Sequence, residues 1–146
     1  MGTVEENKAL ISRFYELLNQ RDVDAANELL APSSFREGVT WEQNKQFDIM
    51  TFKAFPDMKM TIVDIIAEGN KVAVIRNMTG THTGEPFMGI PATGKKMDSN
   101  STFIVRIDNN KVVEVEGTRD FLGMWTQLGV LPSMKEFIQA YKDSLK

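Results

Sequence analysis

The chain has 146 residues, a net charge of -3 at neutral pH and no cysteine. That is the length of one domain able to bury a genuine core, and its scattered Lys and Arg residues leave no footprint for nucleic acid or an anionic membrane. Disulfides and thiol nucleophiles are excluded, no apolar run reaches the length of a membrane span, and the N-terminal MGTVEENK lacks the basic and apolar regions of a secretion signal, so a soluble cytoplasmic protein is expected.

In chain order, Thr3 and Glu6 form a Thr-x-x-Glu capping box ahead of Leu10, Ile11, Phe14, Leu17 and Leu18, which recur at helical spacing and predict a first helix. The run DVDAANELL predicts a short second helix stopped by Pro32. Thr40 and Gln43 form a second capping box, after which Trp41, Phe47, Met50, Ala54 and Phe55 mark the expected inner side of a third helix ending before Pro56. From Met58 the pattern becomes that of strands. MKMTIVDIIAE and KVAVIRNMTG flank the hairpin pair Gly69-Asn70. Two more strands, near 99–107 and 111–118, flank the turn signal DNN. A short helix is expected from Asp120, its N-cap, to Leu128, closed by Gly129, and Ser133 with Glu136 caps a last one. Helices followed by strands imply an α+β layer arrangement with an antiparallel sheet. Strong curvature of that sheet leaves a hollow between the layers.

The stretch GIPATGKK, Gly89 to Lys96, comes within one residue of a phosphate-binding loop, but Lys96 stands where the motif needs Ser or Thr. The residues that follow read as a strand, whereas a phosphate loop opens a helix. A strand connection is the better reading.

Four segments, NKALISRFYELLNQRDVDAANELLAP, KAFPDMKMTIVDIIAEGNKVAV, GTHTGEPFMGIPATGKK and DFLGMWTQLGVLP, resemble the SnoaL-like polyketide cyclase and ester cyclase branch of the nuclear-transport-factor-2-like superfamily from about Asn7 to Pro132. The resemblance implies a single cone-shaped α+β domain. A curved, mainly antiparallel sheet would wrap the N-terminal helices around a deep apolar pocket, usually in a homodimer, and residues 133–146 would add a C-terminal helix. It also implies chemistry without metal or cofactor, an intramolecular aldol closure needing one base and one donor. Aligned on the family, the acid-base Asp of the last strand falls on Gly117 and a His of the preceding strand on Phe103, so the usual pair is missing.

Other positions carry candidates. His82 is the only histidine, which excludes a His-based metal site; it serves either as a loop residue or as an acid or base at the pocket mouth. Tyr15 can donate from the first helix to a carbonyl, or be a core aromatic. Asp120 is a third catalytic candidate. If positions 113, 115 and 117 face inward, Arg119 follows them, although at a strand end it more readily reaches solvent. Arg76 replaces a family aromatic on the inner face, and an Arg inside an apolar cavity needs an anionic partner. Asp57 is expected to order the turn into the sheet; Asp98, Glu114 and Glu116 are expected in water. The expected pocket lining is Phe14, Tyr15, Trp41, Met50, Phe55, Val74, Met78, Phe103 and Val115, with Arg76 as polar anchor. The functional expectation is a homodimer that binds a small apolar carbonyl compound, with a cyclase or isomerase using a relocated base as the alternative and a dimeric scaffold as a third reading. Ala73, Ile75, Thr102 and Ile104 would form the dimer face.

Overall fold

Four long antiparallel strands form a meander, β1 (Lys59–Glu68), β2 (Lys71–Thr81), β3 (Lys96–Asp108) and β4 (Lys111–Arg119), paired in the order β1-β2-β3-β4. The computed structural model describes residues 2–32 and 39–146. Tight turns at Gly69-Asn70 and Asn109-Asn110 join the outer pairs, with Gly69 (φ 57°), Asn109 (φ 48°) and Asn110 (φ 58°) in the left-handed region that such turns require. Register shifts between Ile62 and Asp64 in β1 and between Arg106 and Ile107 beside β4 mark bulges; each adds local twist and bend to the sheet. The second bulge changes the expected alternation. Val112 faces the core opposite Ile107, Val113 is the extra residue, and Val115, Gly117 and Arg119 then share the inner face.

Among the described residues five helices accompany this sheet: α1 (Val4–Asn19), α2 (Val23–Asn27), α3 (Trp41–Ala54), α4 (Phe121–Gln127) and α5 (Met134–Ser144). The capping boxes at Thr3, Thr40 and Ser133 are all closed, side chain to backbone in both directions, and Asp120 caps α4. The second helix is shorter than DVDAANELL suggests. After Asn27 the chain is drawn to the sheet edge, where Val112 N donates to Leu29 O (2.9 Å) and Ala31 N to Val112 O (2.8 Å); those ladder bonds replace further helical turns.

The hydrophobic core lies between α1 and the concave face of the sheet. Leu10, Ile11, Leu17 and Leu18 of α1 meet Met60, Val72, Val74, Phe103 and Val105 of the strands. Asn19 clamps the end of α1 to β1, its side chain accepting from Met60 N and donating to Met60 O, both at 2.8 Å. Among the described residues no helix is long and apolar enough to cross a membrane.

GIPATGKK joins β2 to β3, and a strand follows it. Gly89 (φ 82°) and Gly94 (φ 71°) supply its bends. Asp57 orders the neighbouring strand end by accepting from Thr81 N (2.7 Å) and Thr81 Oγ1 (2.8 Å).

Candidate active site

The inner face of α3 runs through 41, 44, 48 and 51 to the C-cap at 55, a 3-4 spacing that keeps one side of a helix toward the sheet. Three of those positions are polar and buried: Asn44, Asp48 and Thr51. The apolar marks Phe47 and Met50, expected on the inner side, are only partly buried beside them. Thr51 Oγ1 donates to Phe47 O at 2.8 Å, which satisfies it within the helix. Asn44 Nδ2 donates to Asp48 Oδ2 at 3.4 Å. Asp48 is thus a carboxyl carried into the interior by helix geometry.

Opposite Asp48, the sheet contributes one cross-strand row. Arg76 of β2 pairs with Ser101 of β3, which pairs with Arg119 of β4. Neighbouring strands lie about 4.8 Å apart, so a small Ser between two arginines leaves room for both to lie along the inner surface. Arg76 is 6% exposed and its Nη2 donates to Ser101 Oγ at 3.2 Å. The next row holds Phe103 directly opposite Gly117. The Phe103 ring lies 5.2 Å from the Arg76 guanidinium carbon and 5.6 Å from that of Arg119, distances at which a cation is attracted to the ring face. A Cβ built on Gly117 would stand 2.6 Å from the Phe103 ring and 2.1 Å from Thr102 O. The position therefore admits only glycine unless β4 moves.

These groups face two adjoining cavities. The main one, of about 130 Å³, is lined by Phe14, Tyr15, Asp48, Arg76, Phe103, Val115 and Arg119 together with aliphatic residues of α1 and β4. A smaller one, of about 30 Å³, is lined by Thr51, Ser99, Ser101, Phe55, Met78 and other Met and Phe side chains. Asp48, Arg76 and Arg119 border both. Burial pushes the Asp48 carboxyl up to about 6, against the pull of Arg119 and Arg76. Burial also raises the Tyr15 phenol, opposed by the same two arginines; its ring lies 5.8 Å from the Arg76 guanidinium carbon.

The sequence candidates divide accordingly. Phe14, Tyr15, Arg76, Phe103 and Val115 border the main cavity. Phe55 and Met78 border the smaller one with Arg76. Trp41, Met50 and Val74 pack into or against the core and line neither cavity. Arg119 turns inward, its charge over Phe47 at 5.3 Å. His82 is 0% exposed and stacks on Phe55 at 5.0 Å. It is bonded within its loop: its N donates to Lys95 O, its O accepts from Gly94 N, and its Nδ1 accepts from Thr93 N. Asp120 accepts from Gly123 N at 2.8 Å as the α4 cap and borders only the smaller cavity and an outer groove beside α5. Asp48 was not among the expected residues. Its signal was the polar trio Asn44, Asp48 and Thr51 at i, i+4 and i+7 between Trp41 and Phe55.

A family profile for SnoaL-like polyketide cyclases matches residues 8–128. The chain is 25% identical to aklanonic acid methyl ester cyclases of Streptomyces peucetius (78% of this chain, 72% of the relative) and of Streptomyces sp. strain C5 (79% and 66%). Its fold is similar to the crystal structure of a putative hydroxylase from Streptomyces galilaeus, with a TM-score of 0.83 at 24% identity over 98% of this chain and 93% of the other. It is also similar to a putative polyketide cyclase from Streptomyces antibioticus, with a TM-score of 0.73 at 28% identity over 85% and 99%.

Proposed function

The chain belongs to the SnoaL-like polyketide cyclase family, and from that premise we propose that it is an acid-base enzyme acting on an enolisable carbonyl compound, with Asp48 as the base. One observation carries this reading: a carboxyl with a pKa raised to about 6 borders a mainly apolar cavity beside two arginines and a phenol. A general base works best when its pKa lies near the working pH. At neutral pH Asp48 is ionised yet poorly solvated, and takes a proton alpha to a carbonyl. The oxygen that becomes an enolate is met by the Tyr15 hydroxyl and the Arg119 guanidinium, fixed donors in a low-dielectric site. In a ring closure the enolate carbon attacks a second carbonyl of the same molecule, and the resulting alkoxide recovers the proton from Asp48. Phe103 and Gly117 hold no titratable atom, so the base has moved from the sheet to α3, and the aromatic ring in its place supports the two arginines.

The test is solvent deuterium exchange at the alpha carbon of a bicyclic ketone such as 2-tetralone, followed by NMR. Asp48→Asn should lower the protein-catalysed exchange by about 10²- to 10⁴-fold. Exchange unchanged in that variant would sink the assignment. Exchange at background in the parent, with the ketone still bound, would favour the second reading, a binding protein without turnover, which the missing Asp and His at 117 and 103 support. We also propose that the outer face of the sheet, where Ile66 is 65% and Ile104 50% exposed beside Ala73, Ile75 and Thr102, forms a homodimer. Sedimentation showing only monomer at micromolar concentration would overturn that.

A further inference from the structure

We infer that the substrate carries a free carboxylate and that Arg76 with Ser101 holds it at the small cavity while the ring body fills the larger one. This rests on the site described above and extends it to the class of substrate. A buried guanidinium needs hydrogen-bond acceptors for its donors. Arg76 finds the hydroxyl of Ser101 and, from the Tyr15 side, the phenol oxygen, while its Nε is buried and makes no hydrogen bond among the described residues. The faces of Tyr15 and Phe103 attract its charge but give the Nε no acceptor. Ser101 Oγ accepts from Arg76, which leaves its own proton to donate. Guanidinium and hydroxyl together form a two-residue receptor for one planar anion.

Size and lining assign the direction of binding. A water needs roughly 10–15 Å³ of such space, so a cavity of about 30 Å³ takes a headgroup and no ring. Ser99 and Ser101 line it beside Arg76 and Arg119, with Thr51, whose hydroxyl is engaged with Phe47 O, across from them. The larger cavity has the aromatic and aliphatic walls that fit a ring. The acidic groups near this receptor are Asp48 across the cavity and Asp120, whose carboxylate is engaged with the first turn of α4. Among the described residues neither is hydrogen-bonded to Arg76, and the fit is to a carboxylic acid in its ionised form, where an ester would leave the Nε without a charged acceptor.

The experiment is a calorimetric titration of the full chain at pH 7 with 2-naphthoate and with methyl 2-naphthoate. In the parent the acid should bind at least about tenfold more tightly than the ester, a factor set by one charge-assisted contact. Arg76→Met should remove that preference, weakening the acid by about tenfold or more and the ester by less than about threefold. Arg76→Lys should restore part of it. Equal affinity for acid and ester, no binding of either up to about 1 mM, or an acid preference that survives Arg76→Met would each overturn the inference. The acid-ester comparison in the parent needs no variant to fold. Asp48→Asn separates the two proposals: it should leave the acid preference in place while abolishing exchange, so either can fail alone.

Discussion

The helices α1 and α3 both turn a face toward the concave side of the sheet, and they use it in opposite ways. The inner face of α1 is Leu10, Ile11, Leu17 and Leu18, which exclude water and hold the sheet; that of α3 is Asn44, Asp48 and Thr51, which hold a carboxyl in a poorly solvated place. Burying a large aliphatic side chain stabilises by about 1.5–3 kcal/mol, whereas burying a carboxylate costs stability unless it is well paired. On the proposed reading, one helix therefore supplies the stability that the other spends on reactivity.

Asp48→Asn should break this contrast most strongly. Activity should fall by about 10²- to 10⁴-fold while the fold becomes more stable at pH 7. In the folded chain Asp48 keeps its proton up to about pH 6, and in the unfolded chain it loses it near 3.8. Between those values the folded state binds more protons, so the parent loses stability as pH rises and levels off above about 6. The shift corresponds to about 3 kcal/mol at neutral pH, the most the substitution could recover. Urea melts of parent and variant at pH 4 and pH 7 measure it: the gap should open toward pH 7. A gap that is constant with pH would mean that Asp48 is not held in this state.

Leu18→Ala is the counterpart on α1. Leu18 is 2% exposed in the core and borders the main cavity, and truncation should cost about 2–5 kcal/mol by denaturant unfolding. The acidic limb of the pH-rate profile should stay where it is, because the charges around Asp48 are unchanged. A shift of that limb would place α1 in the electrostatics of the site as well as in its walls.

Most of the frame was legible because its signals are local. Capping boxes at Thr3, Thr40 and Ser133, the Gly69-Asn70 turn and the switch from helical to alternating periodicity depend on neighbours within a few residues. The site was legible where it follows strand alternation, as for Arg76 and Phe103. It was not legible on α3, since amphipathic reasoning sends Asp48 to solvent and assigns the inner side to Phe47 and Met50. A buried carboxyl violates the rule by which a helix is read, and functional sites are where such violations gather. Alternation offered Arg119 as well, but its place at a strand end favoured solvent: what turns it inward, the small Ser101 between the arginines and the ring of Phe103, is a tertiary feature with no local signature.

Gly117→Ala should cost about 1–3 kcal/mol, the usual penalty of forcing atoms into a packed place. The added Cβ meets a backbone oxygen, Thr102 O, that cannot rotate away. Relief requires β4 to move, and Arg119 moves with it. A thermal melt equal to that of the parent would show that the strand yields freely, and an Asp at 117 would then be sterically admissible after all.

The smallest effect separates the two helices most cleanly. Thr3 and Thr40 close capping boxes of the same geometry at the starts of α1 and α3, with Oγ1 accepting from Glu6 N at 3.1 Å and from Gln43 N at 3.2 Å. Replacing either by Ala removes one exposed cap and should cost about 1 kcal/mol in urea unfolding. The functional consequences should differ. Fraying the first turn of α1 frees residues that touch no polar group of the site, so Thr3→Ala should leave turnover unchanged. Fraying α3 loosens Asn44, four residues beyond its cap, and Asn44 is the residue that donates to Asp48. Thr40→Ala should therefore lower kcat by a few fold at most, with KM little changed, since a loosened base is positioned less well while the cavity walls remain. Equal turnover in the two variants at equal loss of stability would mean that the Asn44 contact does not position Asp48, and that the carboxyl is held by the sheet arginines alone.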